Sequence, residues 1–358
     1  MTSQVKRRQS FHISRDTYTT WAAVILFFVL LFGGQMAVGN ILNAGTISNL
    51  LINNAYLIIL AVGMTFTILT GGIDLSVGAV VAFSTVAGVT LIQAGWNSWL
   101  VAVLMVLIGS VFGLFSGILV RFFNVQPFIA TLSVMFLARG LAGVLTTESL
   151  VIPKDSGFLV LATKWTIIDG AKRTDRFYLS PNVLIAIVIV GIAFFLLHRT
   201  RFGRTVYAIG GNEQAAELMG LPAQRSKLLV YIVSGTCSGL AGVVYATNVG
   251  SVQNFIGTGW ELDAIAATVI GGTLLTGGVG YVLGSVVGVL ITGLLATLIT
   301  VSSFEIPGVP AGSTAGIITA LILLLFVLLQ KAITFAGRSG PAGPEESAQI
   351  LQKETERA

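Results

Sequence analysis

Ten stretches of about twenty residues, nearly free of charged side chains, follow one another along the chain. They run approximately over 20–38, 47–70, 75–94, 98–120, 126–146, 180–197, 228–247, 262–279, 281–301 and 314–334. A bilayer core demands roughly twenty apolar helical residues, so each stretch has the length of a crossing. Glycine interrupts the third and the eighth. The rest of the chain does not dilute this pattern: Asp, Glu, Lys and Arg make up 10% of 358 residues and the mean hydropathy is +0.90. Soluble domains carry about a quarter charged residues, and a chain this poor in charge leaves apolar surface facing water unless lipid covers it. The fold expected is all-α, a polytopic membrane helical bundle of about ten segments, some Gly-broken, with both termini cytoplasmic. A membrane barrel is disfavoured, because the runs are twice the length of a barrel strand and do not alternate.

Charge sets the orientation. With the polar tail 1–19 placed inside and ten alternating crossings, the inner pieces are that tail, the turn after Thr70, the loop at Arg121, the stretch 198–227, the turn near Gly277 and the tail from Lys331. Fourteen of the 20 Lys and Arg residues then lie inside, five lie outside in the loop 147–179, and Arg139 falls within a span. Positive charge concentrates on the cytoplasmic side of membrane proteins, so the division into a tail (1–19), a transmembrane domain (20–335) and a mobile tail (336–358) follows. The first apolar run is long enough to span and ends without a small-x-small cleavage site, which reads as an uncleaved helix. The net charge of +5 reflects this topology and contact with membrane lipid; nucleic acid is not an expected partner. Cys237 is the sole cysteine, so no internal disulfide forms, and His12 and His198 have no ligand cluster around them.

One internal echo is present. GGIDLSVG begins at Gly71 and GGTLLTGG at Gly271, with Gly, Gly, Leu, a hydroxyl residue and Gly at matching positions. Six crossings apart, both strings belong on the same membrane side. They read either as a trace of two related halves or as small residues that let helices pack closely.

The stretch RFGRTVYAIGGNEQAAELMGLPAQRSK (201–227) is polar in an otherwise oily chain. Asn212 is a good N-cap, Glu213 complements the helix dipole in the first turn, Gly220 suits the left-handed position after the end, and Pro222 forbids continuation. The predicted helix covers Glu213 to Met219. Ala215, Ala216 and Met219 fall on one side of it, with Glu213 and Glu217 flanking. Such a helix is either an ordinary surface linker or a docking knob, with the small residues entering a partner's groove and the acids pairing with partner Arg or Lys.

Catalytic chemistry is not expected of this chain, and no cofactor or metal ligand set is read in it. It lacks the GxxxxGK[ST] loop that cradles phosphates and shows no Ser/His/Asp or Cys/His arrangement. Candidates for a translocation path or gate are the polar groups in or beside the spans: Asn53, Asn54, Gly71, Gly72, Asp74, Thr131, Ser133, Glu261 and Asp263. Buried charge is costly in lipid, so such groups face protein or water. Asp74 reads as a helix cap or as part of a gate. Arg139 reads as snorkelling, or as an ion-pair partner of Glu148 or Asp155. Glu261 and Asp263 read as caps on the outer end of their helix, or with Gln253 and Asn254 as contacts for a binding protein or sugar.

Four strings carry a family resemblance: ILAVGMTFTILTGGIDLSVGAVVAF (59–83), PFIATLSVMFLARG (127–140), HRTRFGRTVYAIGGNEQAAELMG (198–220) and ELDAIAATVIGGTLLTGGVGYVLG (261–284). From about residue 40 to 335 the chain resembles ABC-importer permeases of the monosaccharide (ribose-type) family, and is most similar to the galactofuranose-importer branch. The resemblance implies a multi-pass inner-membrane permease subunit that forms the path for a monosaccharide. It implies a cytoplasmic ABC ATPase that uses the ATP, a second identical or homologous permease subunit, and an external sugar-binding protein. By the same resemblance, Asn212, Glu213, Ala215, Ala216, Glu217, Met219 and Gly220 form the ATPase-coupling element. The rival from another class is an ion-coupled secondary sugar transporter, which would need intramembrane carboxylates able to carry protons or sodium.

Overall fold

A computed structural model describes residues 17–39, 41–170 and 172–302, with isolated helical positions between 317 and 328. The first tail up to residue 16, most of the tenth apolar segment (314–334) and the tail 336–358 lie outside the described residues. The helices are α1 (Thr17–Val38), α2 (Ala44–Leu69), α3 (Val77–Gln93), α4 (Ser98–Phe122), α5 (Pro127–Leu145), α6 (Pro181–Arg199), α7 (Arg201–Gly211), α8 (Glu213–Leu218), α9 (Ala223–Val249), α10 (Trp260–Ile270) and α11 (Val282–Ser302). Seven of these, α1, α2, α4, α5, α6, α9 and α11, are long and apolar enough to cross a membrane.

The centre of the bundle is the antiparallel pair α2 and α9, where Gly63 lies against Ser234 and Cys237. Close approach is built in by spacing. Gly109, Gly113 and Gly117 recur every four residues on α4 and face Gly235, Gly239 and Leu228 of α9. Ser110 and Thr236 join across the same seam at 2.8 Å. Lipid offers no hydrophobic drive for helix association, so small residues that bring backbones together and hydroxyls that bond across the gap hold the pair. The outer helices turn apolar side chains outward, including Ile25 and Phe28 on α1, Leu107 and Val111 on α4, and Ile187 and Val188 on α6. That belt is the lipid-facing surface of a multi-pass membrane protein.

The pieces of the chain sort to two ends. Thr70, Arg121, α7, α8 and the turn at Gly277 gather at one, called here the α8 end. At the other, the segment 147–179 forms β1 (Leu150–Val151), β2 (Trp165–Ile168) and β3 (Phe177–Leu179). There β1 pairs antiparallel with β4 (Ser251–Val252) beyond α9, β2 pairs with β3, and Gln93 at the end of α3 donates to the Val151 carbonyl at 2.9 Å. The two glycine-rich echoes meet at the α8 end: Gly277 packs on the backbone of Gly71 and Gly210, and the Gly278 N–H donates to the Leu69 carbonyl at 2.9 Å.

The third and eighth crossings are not continuous helices. After α2 ends at the α8 end, residues 70–76 turn back into the bundle before α3 begins. After α9 ends at the opposite end, residues 253–259 turn back in before α10 begins. The expected helical segment over 262–279 is therefore corrected. The helix is eleven residues long and stops at Ile270, where Gly271 and Gly272 start a run of turns. The starts of α3 and α10 meet inside the bundle, with Gly78 and Gly257 backbone to backbone and Gly257 at φ +69°. Non-helical chain at membrane depth is tolerated only where protein or water satisfies its backbone, which directs attention to what surrounds both breaks.

Candidate translocation and coupling sites

The first break is clasped from both sides. Asp74 is buried at 1% exposure. Its Oδ1 accepts from the Ser76 N–H at 3.0 Å and the Ser76 hydroxyl at 2.6 Å, and its Oδ2 from the Ser234 hydroxyl of α9 at 2.7 Å. From α5, the Thr131 hydroxyl accepts from the Leu75 N–H at 3.1 Å and lies 3.1 Å from the Ile73 carbonyl. A Cβ at Gly72 would meet the Tyr231 hydroxyl at 2.5 Å. Asp74 thus anchors the chain entering α3 and ties it to α9. Ala at this position would strand three donors, at about 1–3 kcal/mol for each left unmet. We expect Asp74→Ala to lower the unfolding midpoint in detergent strongly and Asp74→Asn far less, because the amide keeps an acceptor oxygen for Ser76. Loss of transport in Asp74→Asn with an unchanged midpoint would instead favour the ion-coupled rival.

The second break is held by Arg139. Its Nη1 donates to the carbonyls of Asn254 at 3.3 Å and Ile256 at 2.6 Å. The expected pairing with Glu148 or Asp155 is corrected: the guanidinium caps carbonyls of the re-entrant chain instead. Glu261 and Asp263 lie in the first turn of α10, at the end of that helix that faces away from the α8 end, and that end starts beside α3 inside the bundle. The Glu261 carboxylate crowds the position of Gly78, and its Oε2 is buried without a hydrogen-bond partner among the described residues. Asp263 is exposed.

Asn53 and Asn54 both line a cleft between α2 and α11. Asn54 donates to the Leu50 carbonyl at 2.8 Å and packs on Gly293 of α11, as a helix-packing residue. Asn53 is exposed and shares that cleft, of about 470 Å³, with Asn49, Thr297 and Thr300. Ser133 is exposed and bonds its own helix at Ile129. One group escaped the sequence reading. Tyr56, Tyr245 and Trp260 converge from α2, α9 and α10 with ring centroids 4.4–5.3 Å apart, all part-exposed. The available signal was that Tyr56 continues the Asn49–Asn53 face of α2 at helical spacing.

At the α8 end the predicted caps are present. The Asn212 side chain accepts from the Ala215 N–H at 2.9 Å, Gly220 has φ +76°, and the N–H groups of Gly220 and Leu221 return to the carbonyls of Glu217 and Ala216. Met219 is the C-cap and no longer helical. The expected docking face is corrected. Ala216 is fully buried and Ala215 part-buried; the surface that projects is Leu218 at 89% and Met219 at 70% exposure. The flanking acids are also engaged within the chain. Glu213 pairs with Lys227 at 2.5 Å, and Gln224 donates to Glu217 at 2.7 Å. These bonds brace α8 on α9 and leave an apolar tip.

Helix α7 carries α8 onto the bundle. Val206 and Ile209 are buried, and Gly210 lies against the Leu69 carbonyl and Gly278. The Tyr207 hydroxyl donates to the Gly280 carbonyl at 2.7 Å. Burial, reinforced by Tyr281, pushes that phenol up to about 12, so it remains a donor at neutral pH. The peg is thus in packed contact, through α7, with the end of α2, which adjoins the first break, and with the loop after α10, the helix that follows the second.

Comparison with known proteins places this arrangement. The family model described as "Branched-chain amino acid transport system / permease component" matches residues 46–329. The chain belongs to this permease family. Among its relatives is the fructose import permease protein FruG of Bifidobacterium longum, 49% identical over 92% of this permease and 95% of the relative. The ribose import permease protein RbsC of Escherichia coli K12 is 36% identical over 82% and 87% of the two chains. The galactose/methyl galactoside import permease protein MglC of Salmonella typhimurium is 33% identical over 78% and 87%. No solved structure matches the permease.

Proposed function

We propose that this permease is the translocating subunit of an ATP-driven monosaccharide importer in the inner membrane. The observation that carries the reading is the peg α8, rigidly capped, braced by Lys227 and Gln224, bare at its apolar tip, and packed through α7 onto both broken crossings. A docked ATPase would press on Leu218 and Met219. Because interiors are close-packed, a rigid element passes displacement to what it touches, here Leu69 and Gly278. The chain entering α3 and the chain leaving α10 would shift together, and the contact of Gly78 with Gly257 is where such a shift would open or close the bundle. Nucleotide would be used by the partner, with sugar supplied by an external binding protein.

A neutral, hydroxyl-rich solute needs hydrogen-bonding and aromatic surface without a fixed counter-charge. Asn49 and Asn53 with the Tyr56–Tyr245–Trp260 group offer that along one face of α2, and a second copy or paralogue facing it would complete a path. Asp74 gives the ion-coupled alternative little support, since its acceptors are taken by Ser76 and Ser234. The fructose and ribose permeases among the relatives make those sugars, with galactose and galactofuranose, the set to test. In proteoliposomes holding the whole complex, ATP hydrolysis should rise when the binding protein is loaded with one of these sugars, and uptake should require the ATPase. Uptake by the permease with ATPase subunits and nucleotide both absent would refute the proposal.

A further inference from the structure

The end of α6, α7 and the loop 278–281 enclose a cleft of about 300 Å³ beside the coupling peg. Its lining includes His198, Arg204, Tyr207 and Tyr281. Arg204 is exposed, as are Arg199 and Arg201 close by, and among the described residues none of the three has an ion-pair partner. His198 is stacked between Phe194 and Tyr281, with ring centroids 4.5 and 5.6 Å away and planes 21° and 15° apart. Its Nδ1 lies 3.1 Å from the Phe194 carbonyl, which orients the ring, and its Nε2 is buried with no hydrogen-bond partner. The cleft therefore sets the positive charge of Arg204 beside an aromatic wall of His198, Tyr207 and Tyr281.

The neighbourhood selects among anions. α6 ends at Arg199, and its outer flank is apolar and bare. Ile187 and Val188 are each 57% exposed, Ile192 50% and Phe195 59%. A soluble phosphate has no use for that strip, whereas an acyl chain lies along it. Basic pockets beside transmembrane helices hold anionic headgroups in this way.

We propose that the cleft is a binding site for an anionic glycerophospholipid. Arg204 takes the phosphate, Arg199 and Arg201 add attraction, and the acyl chains lie along α6. A lipid seated there contacts α7 and the 278–281 loop together, which are the parts that join the peg to the bundle.

The test is native mass spectrometry of the delipidated, intact transporter, titrated with phosphatidylglycerol or phosphatidylcholine of identical acyl chains. The parent should prefer phosphatidylglycerol. Arg204→Gln should weaken that lipid about tenfold, the scale of one charge-assisted contact, with phosphatidylcholine unaffected. Arg204→Lys should retain part of the preference. Arg176→Gln at the opposite end should leave it intact. Unchanged preference in Arg204→Gln would overturn the site. Displacement of the lipid by millimolar glycerol 3-phosphate or inorganic phosphate would overturn its assignment to lipid in favour of a soluble phosphate.

Discussion

The double substitution Leu218→Asp with Met219→Asp is expected to abolish sugar uptake while the permease still reaches the membrane at its normal level. Both side chains project from the bundle, at 89% and 70% exposure, so the folded chain gains little from them in isolation. Buried in a partner's groove they would contribute about 1.5–3 kcal/mol each. Losing both removes at least about 3 kcal/mol, more than a hundredfold in affinity, before the cost of pressing two carboxylates into an apolar groove. The cost to the permease is confined to negative charge at a helix C-terminus, at most about 1 kcal/mol. Uptake of labelled sugar and co-purification of the ATPase should fall together. Ala215, part-buried, should tolerate a change to serine with little effect on either. Normal uptake by the double aspartate variant would mean that the motor engages the permease elsewhere.

That prediction names Leu218, a residue the sequence-based docking patch omits, and the omission is instructive. The ends of α8 are legible because capping is local chemistry: Asn212, Gly220 and Pro222 act within four residues of the helix they bound. Which side faces out is not local. In a six-residue helix, spacing groups residues into faces but does not say which face packs. Here the small Ala216 fits against the bundle and the bulky Leu218 and Met219 are left outside. Helix α7 was missed because Arg201–Gly211 mixes charge with Gly203 and Gly210, residues that look like loop. The real signal is the three-residue spacing of Gly203, Val206 and Ile209, which all turn inward. The long spans were legible because lipid imposes length and apolarity directly. The broken crossings were legible as glycine interruptions, but their depth was not, since it depends on clasps from distant helices. Arg139 illustrates the same limit. Acidic neighbours in sequence suggested ion pairs, whereas its partners are backbone carbonyls more than a hundred residues away, which no side-chain pattern announces.

The second large effect is expected at Gly235, and its sign separates two meanings of glycine in a helix. On helix propensity alone, Gly→Ala in a helix interior stabilises by about 1 kcal/mol. At Gly191 in α6 nothing lies within 4 Å of the added methyl group, so Gly191→Ala should be neutral or slightly stabilising. At Gly235 the same methyl would sit 2.7 Å from the backbone N and Cα of Gly113, and nearer still to the Gly109 carbonyl. These are backbone atoms of a facing helix and cannot rotate away. α4 and α9 would have to separate, parting Ser110 from Thr236 and loosening the α9 that holds Asp74 through Ser234. Overpacking of this kind costs about 1–3 kcal/mol for small insertions and more for larger ones, so Gly235→Ala should lower the thermal midpoint and Gly235→Leu should prevent a monodisperse complex from forming. Gel filtration and thermal unfolding in detergent measure both variants beside Gly191→Ala. If Gly235→Ala behaved like Gly191→Ala, the glycine rows of α4 and α9 would be serving flexibility and not close approach, and the rigid frame against which the peg acts would have to be sought elsewhere in the bundle.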